Sequence, residues 1–184
     1  MSHHKNHEAE TSDTHQETQL QSQEAGIRDR AREFISSTKQ HRHGSNYKII
    51  LVDPEDVEHI WENVSLHLDM AMKHSEGEMS AMDFYPYLME GQMQLWVAVV
   101  DGDVDASMIT QIIPYPRKKV LRIISIAGEN MEDWIGFLPL IEGWALSMGC
   151  TSLECWGRKG WLKVLQDWKC SYHIITKDLT DRMH

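Results

Sequence analysis

Residues Gly91–Val104, with the sequence GQMQLWVAVVDGDV, contain a strong signal for a β-hairpin. Leu95–Val100 is a fully apolar run of the kind found in buried strands. The dipeptide Asp101-Gly102 follows directly, and it favours a two-residue turn whose twist matches that of antiparallel strands. We therefore predict that the chain folds back on itself here, with a return strand over about Val104–Ile113.

Further helices and strands are predicted on both sides of this hairpin from apolar periodicity and from residues that begin or end helices. Asp53 followed by Pro54 is a typical helix start, and Gly149 is a typical helix end. The predicted elements are a strand over Tyr47–Val52, a helix to about His74, a short helix over Ser80–Met89, a third meander strand over Val120–Ile126, a long helix over about Met131–Met148, a strand over Thr151–Trp156, a short helix over Trp161–Trp168 and a final strand over Tyr172–Thr176. This order predicts an α/β (α+β) domain with a mixed, mostly antiparallel central sheet flanked by helices.

The first 45 residues differ in composition from the rest, being polar and rich in histidine, and the folded domain is predicted over residues 46–184. Met1–Gln23 has almost no apolar residues, so we expect it to be disordered by itself. Glu24–His41 is predicted to form an amphipathic helix, because Ile27, Phe34 and Ile35 share one face. Two roles stay open for that face, which either packs on the chain's own domain or binds a partner protein.

The overall composition excludes several classes of function. The 184-residue chain has a formal net charge of -10 and lacks a strongly basic face, so no direct sequence-specific contact with nucleic acid is expected. No apolar run approaches the ~20 residues that span a bilayer, and the polar start is not a signal peptide, so we expect neither membrane insertion nor secretion. The cysteines are not spaced as CxxC, and His67 and His74 do not follow a zinc pattern, so no metal site is predicted.

The predicted order of elements resembles that of the GNAT-type N-acetyltransferase fold over about Tyr47–Leu179. Several segments are also similar to proteins of tailed phages, where they are often described as acetyltransferase-like. Besides the hairpin, these segments are PYPRKKVLRIISIAG at Pro114–Gly128, IEGWALSMGC at Ile141–Cys150 and GRKGWLKVLQDW at Gly157–Trp168. The resemblance implies a GNAT-like domain from a phage, present in the host cytoplasm during assembly and also in the virion if it is a structural component.

The same resemblance directs attention to one loop. GNAT enzymes bind the pyrophosphate of acetyl-CoA at the start of the central helix, where a glycine-containing loop turns backbone N–H groups onto the phosphates. The matching candidate cofactor-binding residues are Ile126, Ala127, Gly128, Glu129 and Asn130. Glu129, Glu132 and Asp133 add negative charge there, which would repel the pyrophosphate. Each carboxylate–phosphate pair at ~5–6 Å costs about 3 kcal/mol at an effective dielectric near 20. We therefore expect no cofactor, with acetyl-CoA as the ligand only if the domain is an enzyme.

The catalytic groups of the family are also hard to find. GNAT enzymes use a tyrosine on the last helix to protonate the leaving thiolate, and the corresponding segment Trp161–Lys169 contains no tyrosine. Tyr172, beyond that segment, is the nearest candidate. Glu154 on the predicted fifth strand is a candidate general base, because a carboxylate can accept a proton from an amine. Both residues also fit a solvated or structurally paired role.

Two functions follow from the resemblance. The one favoured by the sequence is a catalytically inactive GNAT-like scaffold that contacts other phage structural proteins through the N-terminal extension, with self-association also open. The alternative is an acetyl-CoA-dependent N-acetyltransferase that modifies a host or phage protein. GNAT enzymes hold two central strands apart to admit the pantetheine arm of the cofactor. Full pairing between Ile123–Ala127 and Leu153–Trp156 would therefore exclude the alternative.

Overall fold

The computed structural model describes residues 40–42, 45–128, 135–157, 159–172, 174–177 and 179. Its strands are β1 (Gln40–Arg42), β2 (Ser45–Val52), β3 (Gln94–Val100), β4 (Asp103–Tyr115), β5 (Lys118–Gly128) and β6 (Ser152–Cys155). Its helices are α1 (Val57–Met72), α2 (Ala81–Met89) and α3 (Leu138–Ser147), and short 3-10 segments lie at Pro54–Asp56 and Lys159–Lys163. None of these helices is both long enough and apolar enough to cross a bilayer.

The strands form one sheet in the order β1-β2-β3-β4-β5-β6. Neighbouring strands are antiparallel except for β5 and β6, which run parallel. The β3–β4 hairpin turns at Asp101 and Gly102, whose φ angles of 50° and 106° suit a tight turn with the twist of the sheet. The predicted hairpin and the predicted mixed, mostly antiparallel sheet flanked by helices are confirmed.

Each face of the sheet packs against different helices. On one face, α1 and α2 bury side chains such as Val64, Leu68 and Phe84 against the sheet. On the opposite face, Trp144 of α3 meets Trp96 of β3 edge to face, with ring centroids 5.1 Å apart. The sheet therefore separates two apolar cores. A ligand bound in a gap between two strands can contact both of them.

The C-terminal part of the chain differs from its prediction. The predicted strand Tyr172–Thr176 is wrong, because its described residues belong to no strand and Tyr172 and Ile175 are 92% and 93% exposed. Residues of high β-propensity form a strand only where a neighbouring strand accepts their hydrogen bonds. The predicted helix Trp161–Trp168 is also wrong, since only the 3-10 segment Lys159–Lys163 forms there, with Leu165 buried beyond it.

Other boundaries shift as well. The sheet begins at β1, before the predicted domain start at residue 46, and β1 takes up the last residues of the predicted helix Glu24–His41. The remainder of that helix, with Ile27, Phe34 and Ile35, lies outside the described residues, as does Met1–Gln23. The strand β4 continues through Pro114, which a strand tolerates here because it pairs with Lys119 beside the tight turn at the strand's end.

Candidate functional site

The parallel strands β5 and β6 pair only over part of their length. Their register runs from Val120 opposite Ser152 to Ile123 opposite Cys155, where β6 ends. Beyond that point β5 continues over residues 124–128 with no strand beside it on the side away from β4 among the described residues. These are the two strands whose full pairing would exclude an acetyltransferase, and they are paired only in part.

A β-bulge lies where the strands separate. On β4, Ile109 pairs with Ser125 and the next residue, Thr110, pairs with Ile123, so Ile124 is an extra residue of β5. A bulge of this kind bends its strand and increases the local twist. The bulge therefore lies directly after Ile123, the last residue of β5 that pairs with β6.

A cavity of about 760 Å³ occupies this gap. Its walls come from both apolar cores of the domain. They include Phe84, Met72 and Met79 on the α1–α2 side, Ile135, Leu138, Trp161 and Leu165 on the α3 side, and the β5 residues Ile123–Gly128 between them. The volume is within the ~300–1,000 Å³ range of small-molecule sites. The cavity is therefore large enough for an extended ligand and reaches through the plane of the sheet.

Two polar features of β5 face this cavity. Within the described part of the chain, no strand pairs with residues 124–128 on the cavity side, so their N–H and C=O groups there can bond a ligand as an edge strand would. The hydroxyl of Ser125 is buried, lines the cavity and has no hydrogen-bond partner among the described residues. An unsatisfied buried hydroxyl costs about 1–3 kcal/mol, and a ligand that accepts its hydrogen bond removes this cost.

A compact cluster of charged and aromatic side chains lies on the α1–α2 face of the sheet at the cavity's edge. The Nε group of Arg122 donates to Oε1 of Glu154 at 2.6 Å, and Nη2 lies 2.6 Å from the same oxygen in an ion pair. Nη2 also donates to the hydroxyl of Tyr115 at 3.0 Å. The guanidinium carbon of Arg122 lies 4.3 Å from the ring centroid of Trp156. Arg122 and Trp156 both line the cavity.

The structure separates the predicted site residues into three groups. Ile126, Ala127 and Gly128 line the cavity, whereas Glu129 and Asn130 lie outside the described residues. The two catalytic candidates do not line the cavity. The carboxylate of Glu154 is held in the ion pair with Arg122, and Tyr172 is exposed in an irregular segment.

Gly128 has a structural requirement of its own. Its φ of +144° is unusual for residues with a side chain, and an added Cβ would overlap Ala106 of β4 and lie 2.6 Å from the carbonyl oxygen of Asp105. Glycine is needed here for the close approach of β5 to β4. This packing requirement explains the glycine by itself, so its presence is not evidence for a phosphate-binding loop.

The sequence did not indicate several residues that the fold brings to the cavity. These are His74, Glu76 and Glu78 from the segment between α1 and α2, together with Ser125, Cys155 and Trp156. Burial raises the pKa of the Cys155 thiol, and the neighbouring Glu154 charge raises it further, so Cys155 is a neutral thiol at pH 7. His74 and the two glutamates are the proton acceptors nearest the cavity on the α1–α2 side.

The same architecture occurs in solved N-acetyltransferases. Ribosomal-protein-alanine N-acetyltransferase from Brucella melitensis biovar Abortus 2308 gives a TM-score of 0.56 at 12% identity, covering 72% of this chain and 98% of its own. The aminoglycoside N-acetyltransferase AAC(6')-Iy in complex with CoA gives 0.54 at 14% identity, covering 77% and 99%. Glucosamine-6-phosphate N-acetyltransferase from Arabidopsis thaliana gives 0.51 at 14% identity, covering 73% and 99%.

These similarities show that the chain has a GNAT-like fold, as the sequence predicted. At 12–14% identity they concern architecture and carry no substrate or residue role to this chain. No family model matches the sequence, and no curated protein matches it. The resemblance to tailed-phage proteins stays a prediction.

Proposed function

We propose that the chain binds an acyl-coenzyme A in the cavity between β5 and β6 and transfers the acyl group to an amine. The observation that carries this proposal is the separation of the strands beyond Ile123 and Cys155, which leaves a cavity of about 760 Å³ through the sheet. Full pairing or a filled gap would have excluded an acyltransferase. Of the two functions considered from the sequence, the proposal therefore favours the acetyltransferase over the inactive scaffold.

The free edge of β5 fits the pantetheine arm, which is extended and carries two amides. Backbone groups of residues 124–128 can bond those amides as they would bond a neighbouring strand. The hydroxyl of Ser125 supplies a further donor that has no partner among the described residues. The acid-rich residues after Gly128 lie outside the described part of the chain, and the sequence alone predicts that their negative charge opposes a pyrophosphate. We expect the arm, rather than the phosphates, to provide most of the affinity.

The bound cofactor would supply an activated thioester. The residues of this chain that accept a proton from the attacking amine are His74, Glu76 and Glu78, which line the cavity on the α1–α2 side. The apolar side chains of Phe84 and Leu138 line the cavity on opposite faces and keep water from the reacting groups. Because the cavity is lined by both cores, cofactor and amine can enter from opposite faces of the sheet.

Calorimetric titration of the purified chain with acetyl-CoA tests the proposal. We expect micromolar binding, about fivefold weaker in Ser125→Ala because one hydrogen bond is lost, and abolished in Ser125→Phe, whose ring fills the gap. Ser65→Ala is the matched control, since Ser65 is on α1 and does not line the cavity. No heat with the wild type, or equal binding by Ser125→Phe, would contradict the proposal.

A second candidate function is the scaffold role in a phage particle, with protein–protein contacts in place of catalysis. Supporting it are the exposed apolar side chains of Tyr172 and Ile175, which do not line the cavity, since clustered exposed apolar residues are typical of interfaces. If these residues join copies of the chain, sedimentation should show an oligomer that Tyr172→Asp together with Ile175→Asp converts to a monomer. A monomeric wild type would count against this role.

A further inference from the structure

Trp156 is an exposed aromatic residue at the point where the strands separate. It directly follows Cys155, the last residue of β6, and its side chain is 68% exposed while lining the cavity. Tryptophan buries more apolar area than any other side chain, so leaving it in water forgoes a large stabilisation. An exposed tryptophan at the mouth of a cavity is therefore typical of a surface that a ligand covers.

The orientation of Trp156 is set by its neighbour Arg122. The guanidinium of Arg122 stacks on the indole at 4.3 Å, and Glu154 and Tyr115 hold that guanidinium at 2.6 Å and 3.0 Å. The side chains of Arg122 and Glu154 are only 16% and 28% exposed, so this support is well packed. Trp156 is thus a ring that is fixed before any ligand arrives, which lowers the entropic cost of binding to it.

The chemistry of this arrangement selects among ligands. One face of the indole is already polarised by the guanidinium, so a second cation on the ring gains little. A flat, neutral aromatic ring gains from stacking because it adds no charge to the pair formed by Arg122 and Glu154. A positive charge is favoured elsewhere in the same cavity, beside Glu76 and Glu78.

From these observations we propose that Trp156 is the binding platform for the ring of the acyl acceptor, and that the acceptor is a primary amine carrying a flat aromatic ring. This inference rests on the proposed acyltransfer function. Trp156 lies one residue beyond the Ile123–Cys155 pair, or ~3.3 Å along an extended chain. A ring stacked there therefore places an amine on a two- or three-bond arm at the gap between the strands. Arg122 is a positioning residue in this scheme.

Steady-state kinetics with acetyl-CoA and two amines test the proposal directly. Tryptamine carries the required ring, and putrescine is an aliphatic amine without one. We expect Trp156→Ala to raise the KM for tryptamine about tenfold with little change in kcat, in accord with the loss of one aromatic stacking contact. The same variant should leave the KM values for putrescine and acetyl-CoA unchanged, and Trp156→Phe should restore most of the affinity for tryptamine.

A matched control is available on the opposite side of the domain. Leu146 of α3 has the same exposed fraction as Trp156, 68%, but does not line the cavity, so Leu146→Ala should change none of these constants. Equal effects of Trp156→Ala on tryptamine and putrescine, or no effect on either, would overturn the proposal.

A binding measurement separates this inference from the acyltransfer function. Saturation-transfer NMR detects tryptamine bound to the wild-type chain without any cofactor, and the signal should fall strongly in Trp156→Ala but not in Leu146→Ala. Tryptamine binding without acetyl-CoA binding would retain the platform and reject the acyltransferase. Acetyl-CoA binding without tryptamine binding would reject the platform and retain the acyltransferase.

The aromatic ring could belong to a free amine or to the first residue of a peptide. The tripeptide Trp-Ala-Ala, with a free N-terminus, distinguishes these sources in the same kinetic assay. We expect tryptamine to be the better substrate, because the apolar lining that both cores contribute to the cavity favours a small ring over the polar backbone of a peptide. A tripeptide that is preferred over tryptamine and keeps its dependence on Trp156 would assign the platform to protein N-termini and overturn the assignment to a free amine.

Discussion

Ile123 of β5 and Cys155 of β6 are the last residues that pair across the parallel strands, and both line the cavity that opens beyond them. Iodoacetamide labelling at pH 8, followed by peptide mass spectrometry, can report on this position. Burial raises the pKa of Cys155 and of Cys150, so both should react more slowly than the exposed Cys170, and faster as the pH rises. Acetyl-CoA at ten times its Kd should slow Cys155 alone by about tenfold. Equal protection of all three thiols would point to a global effect instead.

Gly128 should tolerate a side chain poorly. We expect Gly128→Ala to lower the free energy of unfolding by about 2–4 kcal/mol, because the positive φ and the overlap with Ala106 both oppose a Cβ. Gly77→Ala is the control, since Gly77 also has a positive φ, +91°, but open space around it, and should cost about 1 kcal/mol. Urea denaturation of both variants measures the difference, and equal losses would show that the overlap with β4 is relieved by a small backbone shift.

Thr110 provides the buried acceptor for an indole N–H. The Nε1 group of Trp96 donates to Oγ1 of Thr110 at 3.0 Å inside the core. Thr110→Val keeps the shape but leaves that N–H unsatisfied, at a cost of about 1–3 kcal/mol. Thr110→Ser keeps the hydroxyl and loses one methyl group, about 1 kcal/mol. We expect the valine variant to be the less stable of the two in thermal unfolding, and the reverse order would mean that Trp96 finds another acceptor.

Asp83 should make stability depend on pH. Its carboxylate accepts hydrogen bonds from the backbone N–H and then the hydroxyl of Ser80, both at 2.7 Å, and these bonds lower its pKa. A carboxylate with a lowered pKa stabilises the folded state above its unfolded pKa of about 3.9, and this stabilisation is lost as the pH falls through the folded value. Asp83→Asn should therefore lower the Tm at pH 7, with a difference from wild type that narrows below about pH 4. A difference that is constant with pH would exclude the charge as its cause.

Glu154 should act through Arg122 and not as a base. Glu154→Gln keeps an oxygen that can accept from Arg122 but removes the charge, so we expect a loss of about 1 kcal/mol in stability. Because Glu154 does not line the cavity, kcat with putrescine should change less than tenfold, whereas an essential base contributes about 10²–10⁴-fold. A hundredfold fall in kcat in a folded Glu154→Gln variant would restore Glu154 as the general base.

The local elements were predictable because their signals lie within short windows of sequence. Asp101-Gly102 between two apolar runs is sufficient for the β3–β4 hairpin. Pro54 begins the 3-10 segment that leads into α1, and Ser80 lies directly before α2. The same local signals predict the fold class, since the order of strands and helices restricts the ways in which apolar faces can be covered. Gly128 was predicted in a loop after a strand ending at Ile126, whereas it is the last residue of β5 and pairs with Ala106.

Only the tertiary structure decided whether the strands β5 and β6 separate, and this changes which function is favoured. The gap begins where β6 ends at Cys155, next to a bulge at Ile124 that is visible only in the pairing of β5 with β4. The ion pair of Arg122 with Glu154 joins residues 32 positions apart, and periodicity within one segment has no information about such contacts. Tyr172–Thr176 has the composition of a strand, but none of its described residues belongs to one. Local propensity therefore determined which elements form, and long-range pairing determined the cavity between them.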